Sequence, residues 1–332
     1  MGRGPTKEYY HLMNENYIEG TLTCLKPSVI KEKINTEFPL VLNIEPTNAC
    51  NANCYYCPRD VNEKIIGTHF LDINSYRRII DQILPHKLIM LTFHKDGEPL
   101  LHKKLPQMVE YAREKDVAQT IHLNTNGILI NSETGRGIIK RGIDDITISI
   151  DAACEETYYR LKKKRRLIQL EKNIKSVLNY REQIGSKTYI RVKMMEFGDI
   201  KKEEIELFRE KWTGIADEVQ ITGIHNWSGS VDVDITDEKT SKRYPCALLW
   251  YMIAVNSNGK VSICNVDWNH SGIIGDLHQK SIREIWSGKL LKKIRKKHLE
   301  GVWNNPEICE ECVVWVSVGN MWDYLSKRHE FI

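Results

Sequence analysis

The sequence predicts an α/β protein built on a parallel sheet, either open or curled into a partial barrel. Three observations carry this: six short runs rich in Val, Ile and Leu, helical stretches between them, and unusual polar segments directly after the first four runs. At 332 residues the chain suits one large domain and a smaller one.

Residues 1–37 read as a mixed polar extension. FPLVLNIEP (38–46) reads as a buried strand closed by Pro46. DINSYRRIIDQIL (72–84) reads as a helix with Ile79, Ile80 and Ile83 on one side and Asp72 or Asn74 as its cap. KLIMLTF (87–93) is the second strand and LPQMVEYAREK (105–115) the helix after it. AQTIHLN (118–124) is the third strand, followed by SETGRGIIKRG (132–142), a helix ending at Gly142. DDITISID (144–151) is the fourth, with one long helical stretch expected from about residue 155 to 184. KTYIRVKMM (187–195), the helix KEEIELFREKW (202–212) and the strand DEVQIT (217–222) complete the series.

Hydrophobic content of 41% and charged content of 28% describe an ordinary globular protein. No apolar run reaches the length of a membrane span, and the opening MGRGPTKEYYHLMNENY has no apolar secretory core, so a cytoplasmic protein without membrane contact is expected. The net charge of +4 does not call for nucleic acid. Two basic runs, RLKKKRR (160–166) and KLLKKIRKKH (289–298), lack interleaved aromatics and read as solvated helical faces, contact with an anionic group being the alternative. In a reducing compartment the nine cysteines read as metal ligands or reactive thiols and not as disulfides.

Reactive groups in parallel α/β folds sit just past the C-terminal ends of the strands. There the sequence places EPTNACNANCYYCPRD (45–60), HKDGEPLL (94–101), NTNG (124–127) and SIDAAC (149–154), one after each of the first four strands. Period-two alternation puts Thr147, Ser149 and Asp151 on one face of their strand. The first segment groups three thiols, Cys50, Cys54 and Cys57. A structural zinc wants four ligands, so His94 would have to supply the fourth. A [4Fe–4S] cluster on three thiolates instead leaves one iron open.

The C-x3-C-x2-C spacing, with Tyr56 before the third cysteine, resembles the signature loop of the radical S-adenosylmethionine (radical SAM) superfamily. The resemblance implies a (β/α)6 partial TIM barrel over about residues 38–225. It implies that Cys50, Cys54 and Cys57 hold a [4Fe–4S] cluster whose open iron binds the amino and carboxylate groups of SAM. SAM cleavage would then give a 5′-deoxyadenosyl radical that abstracts hydrogen from a substrate. Asp96-Gly97-Glu98-Pro99 is similar to the family's "GGEP" motif, which implies that Gly97 allows close backbone approach and Glu98 accepts from the SAM ammonium. Asn124 and Asn126 are similar to third-strand residues near the nucleoside, Ser149 and Asp151 to fourth-strand residues bonding SAM, and Tyr56 would flank the adenine. Where the family often has an arginine, this chain offers Lys162 or Arg160.

Beyond residue 240, Cys246 and Cys264 flank a hairpin signal at Asn258-Gly259, and CEEC supplies Cys309 and Cys312. Taken alone, four such thiols suit structural zinc or a fully ligated cluster. With IIGDL and IREIW between them, residues 226–332 resemble a small C-terminal twitch/SPASM-like domain. No cysteine follows Cys312, which matches the shortened form with a single auxiliary [4Fe–4S] cluster.

The resemblance reaches the branch that oxidises alcohols on aminocyclitols and sugars, with the auxiliary cluster as electron acceptor. It implies a small polyhydroxylated substrate, phosphorylated or nucleotide-linked forms included, and an external one-electron reductant such as flavodoxin or ferredoxin. Candidates for the base at the rim are Lys95, His94, Glu196 and His225. The main rival is a radical epimerase that returns hydrogen from Cys154 or Cys24. Peptide maturation and a two-cluster electron carrier remain as further alternatives.

Overall fold

The computed structural model describes residues 27–59, 64, 66–224, 226–230, 243–316 and 321–328. Among them a helix α1 (Pro27–Lys33) leads into β1 (Val41–Ile44). The repeating unit then runs α2 (Ile73–Asp81), β2 (Leu88–Phe93), α3 (Leu105–Glu114), β3 (Ala118–Thr125), α4 (Glu133–Lys140) and β4 (Asp145–Ser149). It continues with α5 (Glu155–Lys162), α6 (Leu167–Gln183), β5 (Tyr189–Glu196), α7 (Lys202–Trp212) and β6 (Glu218–Gly223). The six strands pair in parallel and in sequence order, and β1 and β6 do not meet, so the sheet is a partial barrel.

The C-terminal part extends the same sheet. β7 (Met252–Val255) lies parallel against β1, and β8 (Lys260–Ser262) and β9 (Ile273–Asp276) follow antiparallel. The turn between β7 and β8 has Gly259 at φ +82, a conformation that glycine adopts without strain. Helices α8 (Ile282–Trp286), α9 (Lys289–Leu299) and α10 (Trp322–Leu325) complete the described elements, with short 3-10 turns at Pro99–Leu101, Ala247–Trp250, Glu307–Cys309 and Val314–Val316. No helix among the described residues is long and apolar enough to cross a membrane.

Register shows how the strands divide their two faces. Leu42, Leu91, Ile121 and, farther on, Ile146 with Ile190 form apolar rows, buried where the helices cover the sheet. The other face carries Asn43, Thr92, His122 and Asp145 in one row and Asn124, Thr147, Arg191 and Glu218 in the next. Arg191 donates to Thr147 at 3.0 Å and to Glu218 at 2.8 Å, and pairs with Asp145. Burial works to raise the Asp145 carboxyl, but Arg191 and His122 outweigh it and hold the group below the usual range. Polar side chains thus fill one face of the sheet, all of them buried except Glu218, whose side chain is 32% exposed.

Local rules explain the helix ends. Asp72 caps α2 by accepting from the Ser75 N–H at 2.8 Å, as its position before the apolar run predicts. The single helix expected over 155–184 is instead two, α5 and α6, broken at Lys163–Arg166 with Lys163 at φ +54. A continuous helix would stack like charges along this run. The break also frees Lys162 to turn inward, where its side chain is 3% exposed and pairs with Asp151.

Candidate functional site

The four polar segments converge on one cleft at the C-terminal rim of the sheet. The loop after β1 contributes Cys50, Cys54, Tyr56 and Cys57; the loop after β2 contributes His94 to Glu98; the end of β3 and the residue after it contribute Asn124 to Asn126; β4 contributes Ser149. Opposite them stand Lys193 and Met195 of β5, with Trp227, Asn265, Val266 and Trp268.

The cysteine loop is pinned where it begins. Thr47 donates its hydroxyl to the His69 carbonyl at 2.7 Å, and Asn48 bonds the Gly67 carbonyl and the His69 N–H, each at 2.7 Å. The Glu98 N–H donates to the Ala49 carbonyl at 2.8 Å, tying this loop to the next. Gly97 permits that approach, because a Cβ there would lie 2.1 Å from the Thr47 carbonyl oxygen and 2.6 Å from that of Ala49. The backbone this glycine admits is thus the chain's own cysteine loop. Glu98 accepts from Thr125 at 2.7 Å, Asn126 N–H at 2.7 Å and Leu100 N–H at 3.0 Å. Burial nevertheless raises its carboxyl above the usual range, so a cation beside it would be well received.

Tyr56 lines the cleft with its ring, and its hydroxyl is held from behind. Lys162 donates to it at 2.7 Å, and it in turn donates to Asp151 at 3.1 Å. Asp151 also takes the Met195 N–H at 3.0 Å and pairs with Lys162. Burial alone would lower the Lys162 pKa, but the Asp151 charge outweighs it and raises it well above the usual lysine value. Asp151, fully buried at φ +63, therefore lies behind the wall instead of continuing the strand face that Ser149 presents. Pro99 is likewise buried behind it, opening a short 3-10 turn, Pro99–Leu101.

The remaining candidates divide clearly. Lys95 lines the cleft, but its ammonium is paired with Asp96 at 2.6 Å and donates to the Asp267 carbonyl at 3.0 Å. Burial opposes that charge, yet Asp96 and Glu45 outweigh it and raise the Lys95 pKa, which ill suits a base. Cys154 caps α5 outside the cleft, its Sγ 3.3 Å from both Thr157 and Glu204. Glu196 ends β5 in solvent, away from the cleft wall. His225 and Cys24 lie outside the described residues.

A second cavity holds the other four thiols. Cys246, Cys264, Cys309 and Cys312 line it together, with Ser228, Arg243, Val266 and His298 among its walls. Val266 lines both cavities, two residues after Cys264. Thiols gathered around a shared cavity in both places are the donors that an iron–sulfur cluster takes. Burial pushes the Cys50 and Cys57 thiols up to about 11 and about 12, and raises those of Cys264, Cys309 and Cys312. Iron would supply the positive charge needed to hold them as thiolates.

Comparison with known proteins agrees with this donor set. Residues 44–207 match the radical SAM superfamily and residues 246–313 the SPASM iron–sulfur cluster-binding domain, together more than two thirds of the chain. The chain belongs to the radical SAM superfamily. It therefore binds SAM with a [4Fe–4S] cluster in its core and an iron–sulfur cluster in its SPASM domain. A relative from Niallia circulans, an S-adenosyl-L-methionine-dependent 2-deoxy-scyllo-inosamine dehydrogenase, is 22% identical over 86% of this chain and 97% of its own. A GTP 3',8-cyclase from Chlorobaculum tepidum is 26% identical over 41% of this chain, which spans only 40% of the cyclase. The solved structure of BtrN with AdoMet and 2-DOIA superposes with TM-score 0.57 at 18% identity, covering 82% of this chain and 92% of that one. At that identity the likeness establishes the fold.

The cleft also holds residues that the motifs did not single out. Lys193 is 7% exposed and stands in register with Ser149. The alternation Arg191, Lys193, Met195 within an apolar strand was its available signal. Asn265, 5% exposed, has both amide atoms buried without a partner. Its only sequence cue was its place after Cys264.

Proposed function

We propose that this radical SAM enzyme oxidises a secondary alcohol of a small polyhydroxylated substrate, a sugar or aminocyclitol, to a ketone. Residues 38–225 would form the SAM-binding core and 226–332 the auxiliary-cluster unit. Cys50, Cys54 and Cys57 would hold the first cluster, and Cys246, Cys264, Cys309 and Cys312 the auxiliary one. When bound, these groups supply one-electron chemistry: the first releases the 5′-deoxyadenosyl radical from SAM and the second takes up an electron.

The observation that carries the reading is the shared wall. Asn265 and Val266 follow an auxiliary-cluster cysteine directly and line the cleft, so an electron leaving a substrate there has a short covalent route to the four-thiol cavity. Glu98 would take the SAM ammonium, with Asn124, Asn126, Ser149 and Tyr56 around the rest of the molecule. Asp151 would act at one remove, through Tyr56. Lys193 and Asn265 would orient substrate hydroxyls, and His94 would be the better placed base than Lys95, Glu196 or Cys154. An external flavodoxin or ferredoxin would provide the reducing electron.

Epimerisation needs a hydrogen donor at the same place. Among the described residues, no cysteine lines the cleft beyond Cys50, Cys54 and Cys57, which supports oxidation over epimerisation. The test uses 2-deoxy-scyllo-inosamine deuterated at its carbinol carbon, with a panel of similarly labelled sugars. Deuterium appearing in 5′-deoxyadenosine together with a ketone product is expected from at least one of them. Solvent deuterium at an inverted carbon, from a reaction in D2O, would end the dehydrogenase reading.

A further inference from the structure

The cavity that gathers the four C-terminal thiols also contains nitrogen donors that nothing satisfies. His298 lies on the inner side of α9, 1% exposed, and neither ring nitrogen has a partner. Its ring meets Trp303 edge-on at 5.2 Å, which fixes its orientation. An imidazole carries at least one N–H in either protonation state, so the ring brings a donor into the cavity. Arg243 donates its terminal nitrogens to the Cys309 and Glu310 carbonyls and stacks on Trp303 at 4.7 Å. Its Nε is buried without a partner.

Apart from the thiols and Ser228, whose hydroxyl donates to the Val266 carbonyl at 3.3 Å, the other walls are apolar side chains such as Leu248, Leu249, Ile263 and Val314. They offer these donors no acceptor, and a buried N–H left unpaired is costly. The sulfurs of a bound cluster would satisfy both.

We propose that His298 and Arg243 hydrogen-bond to sulfur of the auxiliary cluster and raise its reduction potential, making it the better electron acceptor. A reduced cluster carries one more negative charge than an oxidised one, so N–H donors and a nearby guanidinium favour the reduced form. This rests on the four-cysteine reading of the auxiliary site.

The test is a potentiometric titration of the reconstituted holoenzyme followed by electron paramagnetic resonance. Added SAM perturbs the first cluster and so separates its signal from that of the auxiliary one. His298→Leu, which fills the space without a donor, should lower the reduced-to-oxidised ratio at a fixed potential about tenfold, or about 59 mV for a one-electron couple. His298→Gln, which keeps an N–H, should recover most of that shift. A wild-type potential in His298→Leu with both clusters loaded overturns the proposal. Should His298→Leu lose its second cluster, wild-type protein labelled with 15N-histidine decides. Nitrogen and exchangeable-proton couplings in the auxiliary signal are expected, and their absence overturns the proposal. Wild-type protein carrying only one cluster would instead overturn the four-cysteine reading.

Discussion

Replacing Lys162 with Met should destabilise the protein far more than a surface lysine would. The ammonium pairs with Asp151 at a place where the two side chains are 3% and 0% exposed. Without it, Asp151 keeps only the Tyr56 hydroxyl and the Met195 N–H as donors. Breaking a buried pair from one side costs about 3–5 kcal/mol, because the remaining charge stays buried and uncompensated. With a urea m-value of about 3 kcal/mol per molar, the midpoint should fall by about 1 M or more. The companion Asp151→Asn/Lys162→Met removes both charges and keeps an acceptor for the Met195 N–H, so it should recover at least half the loss. Because the lysine pKa is raised in the fold, its contribution is complete below the ordinary lysine value and lost only as pH climbs through the higher folded one. The difference between wild type and Lys162→Met should therefore be flat over roughly pH 6 to 9. Urea denaturation of the apo protein, followed by circular dichroism, measures all three quantities. A loss below about 1 kcal/mol for Lys162→Met, the level of an exposed pair, would refute the reasoning.

Three further outcomes follow from the same geometry. Gly97→Ala forces a methyl onto the Thr47 and Ala49 carbonyls, so a loss of about 1–3 kcal/mol and poor retention of the first cluster are expected in thermal melts and iron assays. Glu98 has a raised folded pKa, so its ionisation penalises the apo fold as pH rises from acid to neutral; Glu98→Gln should gain stability relative to wild type over that range while SAM binding weakens by about 1.5–3 kcal/mol. Asp145 has a depressed folded pKa, so its contribution is present above the ordinary carboxyl range and lost as pH falls through the folded value; Asp145→Asn should flatten the acid limb of the stability curve.

Much of the fold was legible because each strand is a short apolar run that local pattern can reveal. The convergence of four rim segments followed from topology, the three-thiol loop from its cysteine spacing and the hairpin at Gly259 from its Asn-Gly signal. What escaped depends on contacts between distant residues. Alternation carried Asp151 onto the face of Ser149, but the strand ends at Ser149, and Asp151 turns back to Lys162 and Tyr56. Glu98 has a second task that its motif did not show, since its oxygens also brace Thr125 and Asn126. Cys154 seemed close to the chemistry in sequence, yet Glu204, fifty residues on, holds it outside the cleft. Asn265 and Trp268 belong to the site because β7 docks beside β1, a pairing across some two hundred residues that no local pattern encodes.

One comparison of SAM cleavage with iron content separates the two clusters. Wild-type protein reconstituted without air should hold about eight irons, two cubanes' worth, and release 5′-deoxyadenosine from SAM when reduced with dithionite. Replacing Cys50, Cys54 and Cys57 with Ala should halve the iron and abolish that release. Replacing Cys309 and Cys312 should also halve the iron but leave some release. Loss of cleavage with the second pair and not the first, or zinc in place of half the iron, would contradict the assignment of an open cluster in the cleft and a closed one behind it.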